Sequence, residues 1–142
     1  MVERLARGLL DTDVVIDWKR IDPLALPIES SISAITLAEL SVGPLVADDE
    51  DERTGRQTQL QQVESAFDAL PFDAAAARTY PALHAAVRAV GRAPRRRIAD
   101  LFIACVAAAN DLPLFTANPQ DYVGLDRLIQ VVAVQRSHLR RS

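Results

Sequence analysis

Four short segments of the chain carry oxygen-bearing side chains that could act together on a phosphate or hold a hard cation. Asp11 and Asp13 follow the apolar run Leu9-Leu10. Glu39 lies in Thr36-Leu-Ala-Glu-Leu40, and Asp100 interrupts the otherwise apolar stretch Ile98 to Ala109. Thr116, Asn118 and Asp121 follow Leu114-Phe115. Brought together, the carboxylates would repel one another and raise each other's pKa values unless a cation joined them. Carboxylates, an amide and a hydroxyl, with no histidine or cysteine, suit Mg²⁺ or Mn²⁺ and argue against Zn²⁺. A divalent ion on such ligands acidifies water and neutralises a phosphodiester during in-line attack. A neighbouring carboxylate can orient or deprotonate that water. No imidazole base is required, and His84 and His138 fall in segments remote from the acids.

The elements that must position these residues alternate in type. Gly8 to Ile16 reads as a strand buried on both faces with its acids at the end, since Leu9, Leu10, Val14, Val15 and Ile16 do not alternate cleanly with polar residues. Ser31 to Ile35 reads as a second strand, and Thr36 with Glu39 fits a capping box that starts the next helix. The acid run 48–52 is a solvated turn or helix edge. Arg53 to Leu70 is a polar helix with Leu60, Val63, Phe67 and Leu70 on one stripe. Leu70-Pro-Phe72 is a brief extended piece. Asp73 to Val90 is an alanine-rich helix, kinked or restarted at Pro81 and ended by Gly91. Arg95 to Asn110 is a further helix, and its all-round apolarity from Ile98 onward marks it as buried. Leu114 to Thr116 and Leu128 to Val134 are the remaining strands, with a turn at Asn118 to Asp121. The alternation predicts an α/β fold, a parallel sheet with helices on both faces. Ligands of such sheets bind beyond the carboxyl ends of the strands, where the acids fall.

Composition narrows the classes. The 142 residues are 49% apolar and 25% charged, the mix of one globular domain. No apolar run reaches the ~18 residues of a membrane span, and the opening residues lack a signal-peptide layout, so a cytoplasmic protein is expected. The single cysteine, Cys105, excludes an internal disulfide and a cysteine metal cluster. Net charge is −3, and the basic tail 135–142 carries Arg136, Arg140 and Arg141 without an acid. A polyanion-binding domain normally has a broad basic excess. Either nucleic acid is not the partner, or the contact is local and a cation supplies the missing positive charge.

Four blocks, in order, carry a resemblance: Leu9-Leu-Asp-Thr-Asp-Val-Val-Ile16, Ser33-Ala-Ile-Thr-Leu-Ala-Glu-Leu40, Arg97-Ile-Ala-Asp-Leu-Phe-Ile-Ala104 and Leu114-Phe-Thr-Ala-Asn-Pro-Gln-Asp-Tyr122. Their sequence resembles PIN-domain ribonucleases, and among them the VapC toxins of bacterial toxin–antitoxin pairs, over roughly residues 8–134. The resemblance implies a single PIN domain over 1–134 with a five-stranded parallel sheet. It implies a Mg²⁺- or Mn²⁺-dependent endoribonuclease that cleaves tRNA or ribosomal RNA and so stops translation. It also implies a homodimer held inactive by a VapB-type antitoxin. By position the catalytic acids are Asp11, Glu39, Asp100 and a fourth at Asp121 or Asn118, with Asp11, Asp100 and Asp121 on the metal. Asp13, Thr116 and Asn118 support them.

Plainer roles exist for each residue. Asp11 and Asp13 could form a turn, Glu39 could only cap a helix, and Asp100 could answer a helix dipole. Arg95, Arg96 and Arg97 could grip RNA phosphates, touch the antitoxin or simply be solvated. Cys105 reads as a small buried apolar residue, Trp18 as a packing residue, and both histidines as surface residues. Two rival functions remain: a catalytically inert PIN-like module that only binds protein or RNA, and a haloacid-dehalogenase-type phosphatase with Asp11 as nucleophile. The phosphatase needs a downstream lysine, sometimes an arginine, and a paired-acid motif near the end of a later strand; the one lysine is Lys19, just after the first motif, and no such acid pair follows the third strand.

Overall fold

A computed structural model of the chain describes residues 3–135; His138 and the tail arginines lie outside them. Five strands, β1 (Arg7–Leu10), β2 (Glu29–Ser33), β3 (Asp68–Leu70), β4 (Leu114–Thr116) and β5 (Val131–Ala133), form one sheet in the order β3-β2-β1-β4-β5. Every pairing is parallel. The helices are α1 (Thr12–Asp17), α2 (Ala34–Val42), α3 (Glu50–Ala66), α4 (Ala74–Ala89) and α5 (Ile98–Ala109). The α/β class, the parallel sheet and the five strands are as the sequence led us to expect.

Both faces of β1 are sealed. Successive residues of a strand point to opposite faces, and Leu9 and Leu10, both fully buried, enter two different cores. Leu9 joins Leu83 of α4 and Ile103 and Val106 of α5, whereas Leu10 joins Val14 and Val15 of α1 and Val63 of α3. The chain steps from β1 to β2 and β3 on one side, then returns to place β4 and β5 on the other. The reversal opens a crevice at the carboxyl ends of β1 and β4, where ligands of such sheets are usually held.

Several boundaries differ from those read in the sequence, each for a local reason. The first strand stops at Leu10 and does not run to Ile16. The Asp11 carboxylate accepts the Val14 N–H at 3.1 Å and starts α1 at once, so the β-branched Val14 and Val15 are buried from a helix. Helix α2 starts at Ala34 because the buried Ser33 hydroxyl accepts the Ile35 N–H at 3.0 Å. Thr36 therefore lies inside the helix, and the capping box with Glu39 does not exist. The acid run is itself a helix start: Asp49 accepts the Glu52 N–H, and Glu52 accepts the Asp48 N–H, each at 2.8 Å. That helix ends at Ala66, leaving Leu70 to β3. Helix α4 continues through Pro81 and stops before Gly91, whose φ of +78° favours glycine. Arg95, Arg96 and Arg97 belong to a 3₁₀ turn, Pro94–Arg97, ahead of α5.

Cys105 is fully buried, and Trp18 packs edge-on against Phe67 at 4.9 Å between centroids. His84 is half-buried beside Tyr80 and not on the open surface.

Gly8 of β1 leaves no room for a side chain. A β-carbon there would lie 2.7 Å from Phe115 Cδ1, closer still to Cε1, and 3.0 Å from Pro27 Cγ. Phe115 is itself buried and cannot swing aside freely. Gly8→Ala is expected to destabilise the fold by about 1–3 kcal/mol, read as a lower urea midpoint with an unchanged slope.

Candidate active site

Asp11 leaves the end of β1 with its backbone N–H donating to the Phe115 carbonyl of β4 at 3.0 Å. Its side chain is only 4% exposed. One oxygen accepts the Val14 N–H, and the other receives the Tyr122 hydroxyl at 3.4 Å. The Thr116 hydroxyl, fully buried at the end of β4, also hydrogen-bonds this carboxylate. It can do so as a donor because its oxygen accepts the Asn118 N–H at 3.0 Å.

The other acids arrive from separate elements. Asp100 stands in the first turn of α5, and Asp121 in the 3₁₀ turn Pro119–Tyr122 after β4. Glu39 projects from α2 and accepts the Thr12 hydroxyl at 2.6 Å, while Thr12 and Thr36 hydroxyls lie 3.0 Å apart. These two threonines hold Glu39 toward the end of β1. Asn118 donates its amide to Asp13 at 2.8 Å. Asn118 and Asp13 thus pair with each other at the rim, whereas Asp121 faces Asp100.

Burial raises the Asp11 carboxyl from its ordinary value of 3.8 to about 6; Thr116 and the Val14 N–H pull it back, and Asp13 and Asp100 add to the rise. Burial raises Asp100 too, aided by Asp121 and Glu39 and opposed by Arg97. Burial and the surrounding carboxylates hold the Tyr122 proton far above the usual phenol range, so that hydroxyl serves as a donor. Asp100 thus links Asp11 to Asp121 and Glu39 across one small region.

The cation in that region is Arg97. Its guanidinium lies 3.2 Å from Asp121 and 3.6 Å from Asp100, although it is itself more than half exposed. It bridges acids from two elements, as a metal ion would. Among the described residues no three acid, histidine or cysteine side chains are already drawn close enough to share a metal ion. The donor chemistry nevertheless fits a hard divalent cation: carboxylate oxygens from separate elements, raised pKa values at Asp11 and Asp100, and one bridging counter-charge that is only an exposed arginine.

The expected site residues thus converge with unequal parts. Asp11, Asp100, Asp121 and Glu39 share one electrostatic neighbourhood, Thr116 braces Asp11, and Asp13 and Asn118 sit at its edge. Arg97 reaches the acids, but Arg95 makes no such contact among the described residues. The sequence reading missed Thr12, Thr36 and Tyr122. Thr12 lies inside the Leu-Asp-Thr-Asp block and could have been suspected, while Thr36 was read as a cap. Nothing local in the sequence signals that Tyr122 returns to Asp11, 111 positions away. The phosphatase alternative finds no lysine here, since Lys19 stands over the Trp18 ring at 5.7 Å.

Comparison with known proteins gives the family and the fold. The PIN domain family matches residues 8–123. Ribonuclease VapC5 of Mycobacterium tuberculosis is 37% identical over 133 residues, covering 92% of this chain and 96% of that protein. The crystal structure of VapBC-5, a toxin–antitoxin system of the same organism, matches with a TM-score of 0.78 over 92% of this chain and 98% of that one. The VapBC2 structure of Rickettsia felis, bound to a DNA fragment from their promoter, shares the fold at a TM-score of 0.70 and 22% identity, over 89% of this chain and 96% of that one.

The raised Asp11 carboxyl has a measurable consequence. A folded-state value above the unfolded one means that stability is intact below about pH 3.8 and is lost as pH rises through about 6. Asp11→Asn keeps an acceptor for the Val14 N–H and removes the buried charge. In metal-free buffer the variant should match the wild type near pH 4 and exceed it above pH 7, by up to about 3 kcal/mol. Denaturant unfolding across that range checks this.

Proposed function

The chain belongs to the PIN-domain family, and from that premise we propose that it is a VapC-type endoribonuclease, the toxin of a toxin–antitoxin pair. Its partner is a VapB-type antitoxin, as the likeness to the VapBC-5 complex supports. Ribonucleases of this family generally use divalent metal ions. The observation that carries the reading is the convergence of Asp11, Asp100, Asp121 and Glu39 at the carboxyl edge of β1 and β4.

Asp11, Asp100 and Asp121 would hold Mg²⁺ or Mn²⁺. When bound, such an ion acidifies water and offsets the charge of the phosphodiester. Glu39, held by the Thr12 hydroxyl, takes the proton of the attacking water. Water adds to phosphorus, the bond to the 3′-oxygen breaks, and that oxygen gains a proton from solvent, leaving a 5′-phosphate and a 3′-hydroxyl. Thr116 and Tyr122 keep Asp11 ionised and oriented by donating to it. Asp13 and Asn118 fix the rim as a pair. The substrate is tRNA or ribosomal RNA, and its cleavage arrests translation.

Calorimetry with Mn²⁺ alone, paired with an RNA cleavage assay, tests this. Asp11→Asn and Asp100→Asn should each weaken Mn²⁺ binding by more than the roughly 10–100-fold that loss of an outer-shell partner costs. Both should abolish cleavage, and EDTA should abolish it in the wild type. Cleavage persisting in EDTA contradicts the metal mechanism. Mn²⁺ binding that ignores both substitutions, in a protein that cuts no RNA, instead supports the inert binding module.

A further inference from the structure

Beside the acid cluster lies a cavity of about 840 Å³, within the range of roughly 300–1,000 Å³ that suits ligand-sized groups. It shares Arg97 and Asp121 with the cluster, so the two are continuous. The exposed Val123 gives it an apolar side chain, and Arg92 and Arg96 form part of its wall.

These two arginines are placed differently from the rest of the basic segment. Gly91 turns the chain out of α4 with φ of +78°, and Arg92 then reaches across to donate to the Gln120 carbonyl at 2.6 Å. Arg92 thereby ties the end of α4 to the turn that carries Asp121, without meeting a carboxylate. Successive side chains of a 3₁₀ turn diverge by about 120°. Of Arg95, Arg96 and Arg97, the last faces the acids, Arg96 lines the cavity and Arg95 does not line it. Among the described residues, Arg96 has no ion pair or side-chain hydrogen bond. In a chain with net charge −3, where acids outnumber bases, two arginines without a carboxylate partner beside an acid cluster leave positive charge for an incoming anion.

Resting on the ribonuclease reading, we infer that this cavity holds the nucleotide adjoining the cleaved phosphate of a single-stranded RNA segment. Arg92 and Arg96 grip its backbone phosphates, and the exposed Val123 side chain offers its base an apolar face. The arginines call for an anion, and continuity with acids that would cut a phosphodiester favours RNA over an acidic peptide and puts the strand's neighbouring phosphate in their reach. Arg92, which no motif singles out, becomes a substrate-binding residue, while Arg95 does not.

The test uses the full chain with Asp11→Asn to prevent cleavage, and a fluorescein-labelled mixed-sequence RNA oligonucleotide read by anisotropy. Adding Arg92→Ala and Arg96→Ala should weaken binding on the order of tenfold and lower the salt slope by about 1.4, at about 0.7 per phosphate contact. Arg95→Ala should change binding less than about twofold. Circular dichroism melting and Mn²⁺ calorimetry on the wild-type background should be unchanged by Arg96→Ala alone, which breaks no contact to the turn that carries Asp121, and Arg96→Glu should weaken RNA binding further. RNA binding unaffected by the pair in the Asp11→Asn chain, with cleavage unaffected by it on the wild-type background, would overturn this inference while leaving the ribonuclease reading intact. Equal losses from Arg95→Ala would overturn it in favour of diffuse attraction. Loss of antitoxin binding with unchanged RNA binding would assign the cavity to the protein partner instead. A wild-type protein that neither binds nor cuts RNA would overturn both readings.

Discussion

Asp11 stands 4% exposed at the carboxyl end of the central strand, where burial alone would favour its neutral form and Asp13 and Asp100 add repulsion. An ionised carboxylate in such a place needs donors or a cation. The chain supplies donors from three places: the Val14 N–H, the Thr116 hydroxyl and the Tyr122 hydroxyl. They do not return Asp11 to its ordinary value. Arg97 relieves Asp100 and Asp121 from the rim, but an exposed guanidinium is screened by water and is a weak substitute for a buried positive charge. The site is therefore built with an excess of negative charge that a small hard cation would satisfy.

The sheet explains why these acids meet. Asp11 follows β1 and Asp121 follows β4, and those strands are neighbours only because the chain reverses its direction of winding between them. Asp100 is carried in by α5, whose burial beside Leu9 fixes its first turn against the sheet. Glu39 depends on where α2 begins. Starting that helix at Ala34, and not at Thr36, turns Thr36 inward toward Thr12 and leaves Glu39 at the opening. The sealed core on both sides of Leu9 and Leu10 thus sets the placement of charged groups that lie outside it.

Much of this was legible in the sequence where the signals were local and strong. The buried helix around Ile103, the central apolar strand and the acids that interrupt apolar runs all follow from polarity at known spacing. The unread parts depend on competition or on distance. Val14 and Val15 favour a strand by propensity, yet the Asp11 cap and two-sided burial make them helical. Ser33 and Thr36 are both plausible caps, and only the end of β2 decides between them. No local pattern encodes the pairing of Asn118 with Asp13 across 105 residues, or the approach of Asp121 to Asp100. The division of the arginine run follows from 3₁₀ geometry that composition does not reveal.

The most direct measurement is anomalous diffraction from crystals equilibrated with Mn²⁺. A peak is expected between Asp11, Asp100 and Asp121, at roughly the 2.0–2.1 Å from their oxygens usual for a small hard ion, with the Arg97 guanidinium displaced from at least one acid. Manganese found only on exposed carboxylates such as the run at 48–52, with Arg97 still bridging Asp100 and Asp121, would contradict it.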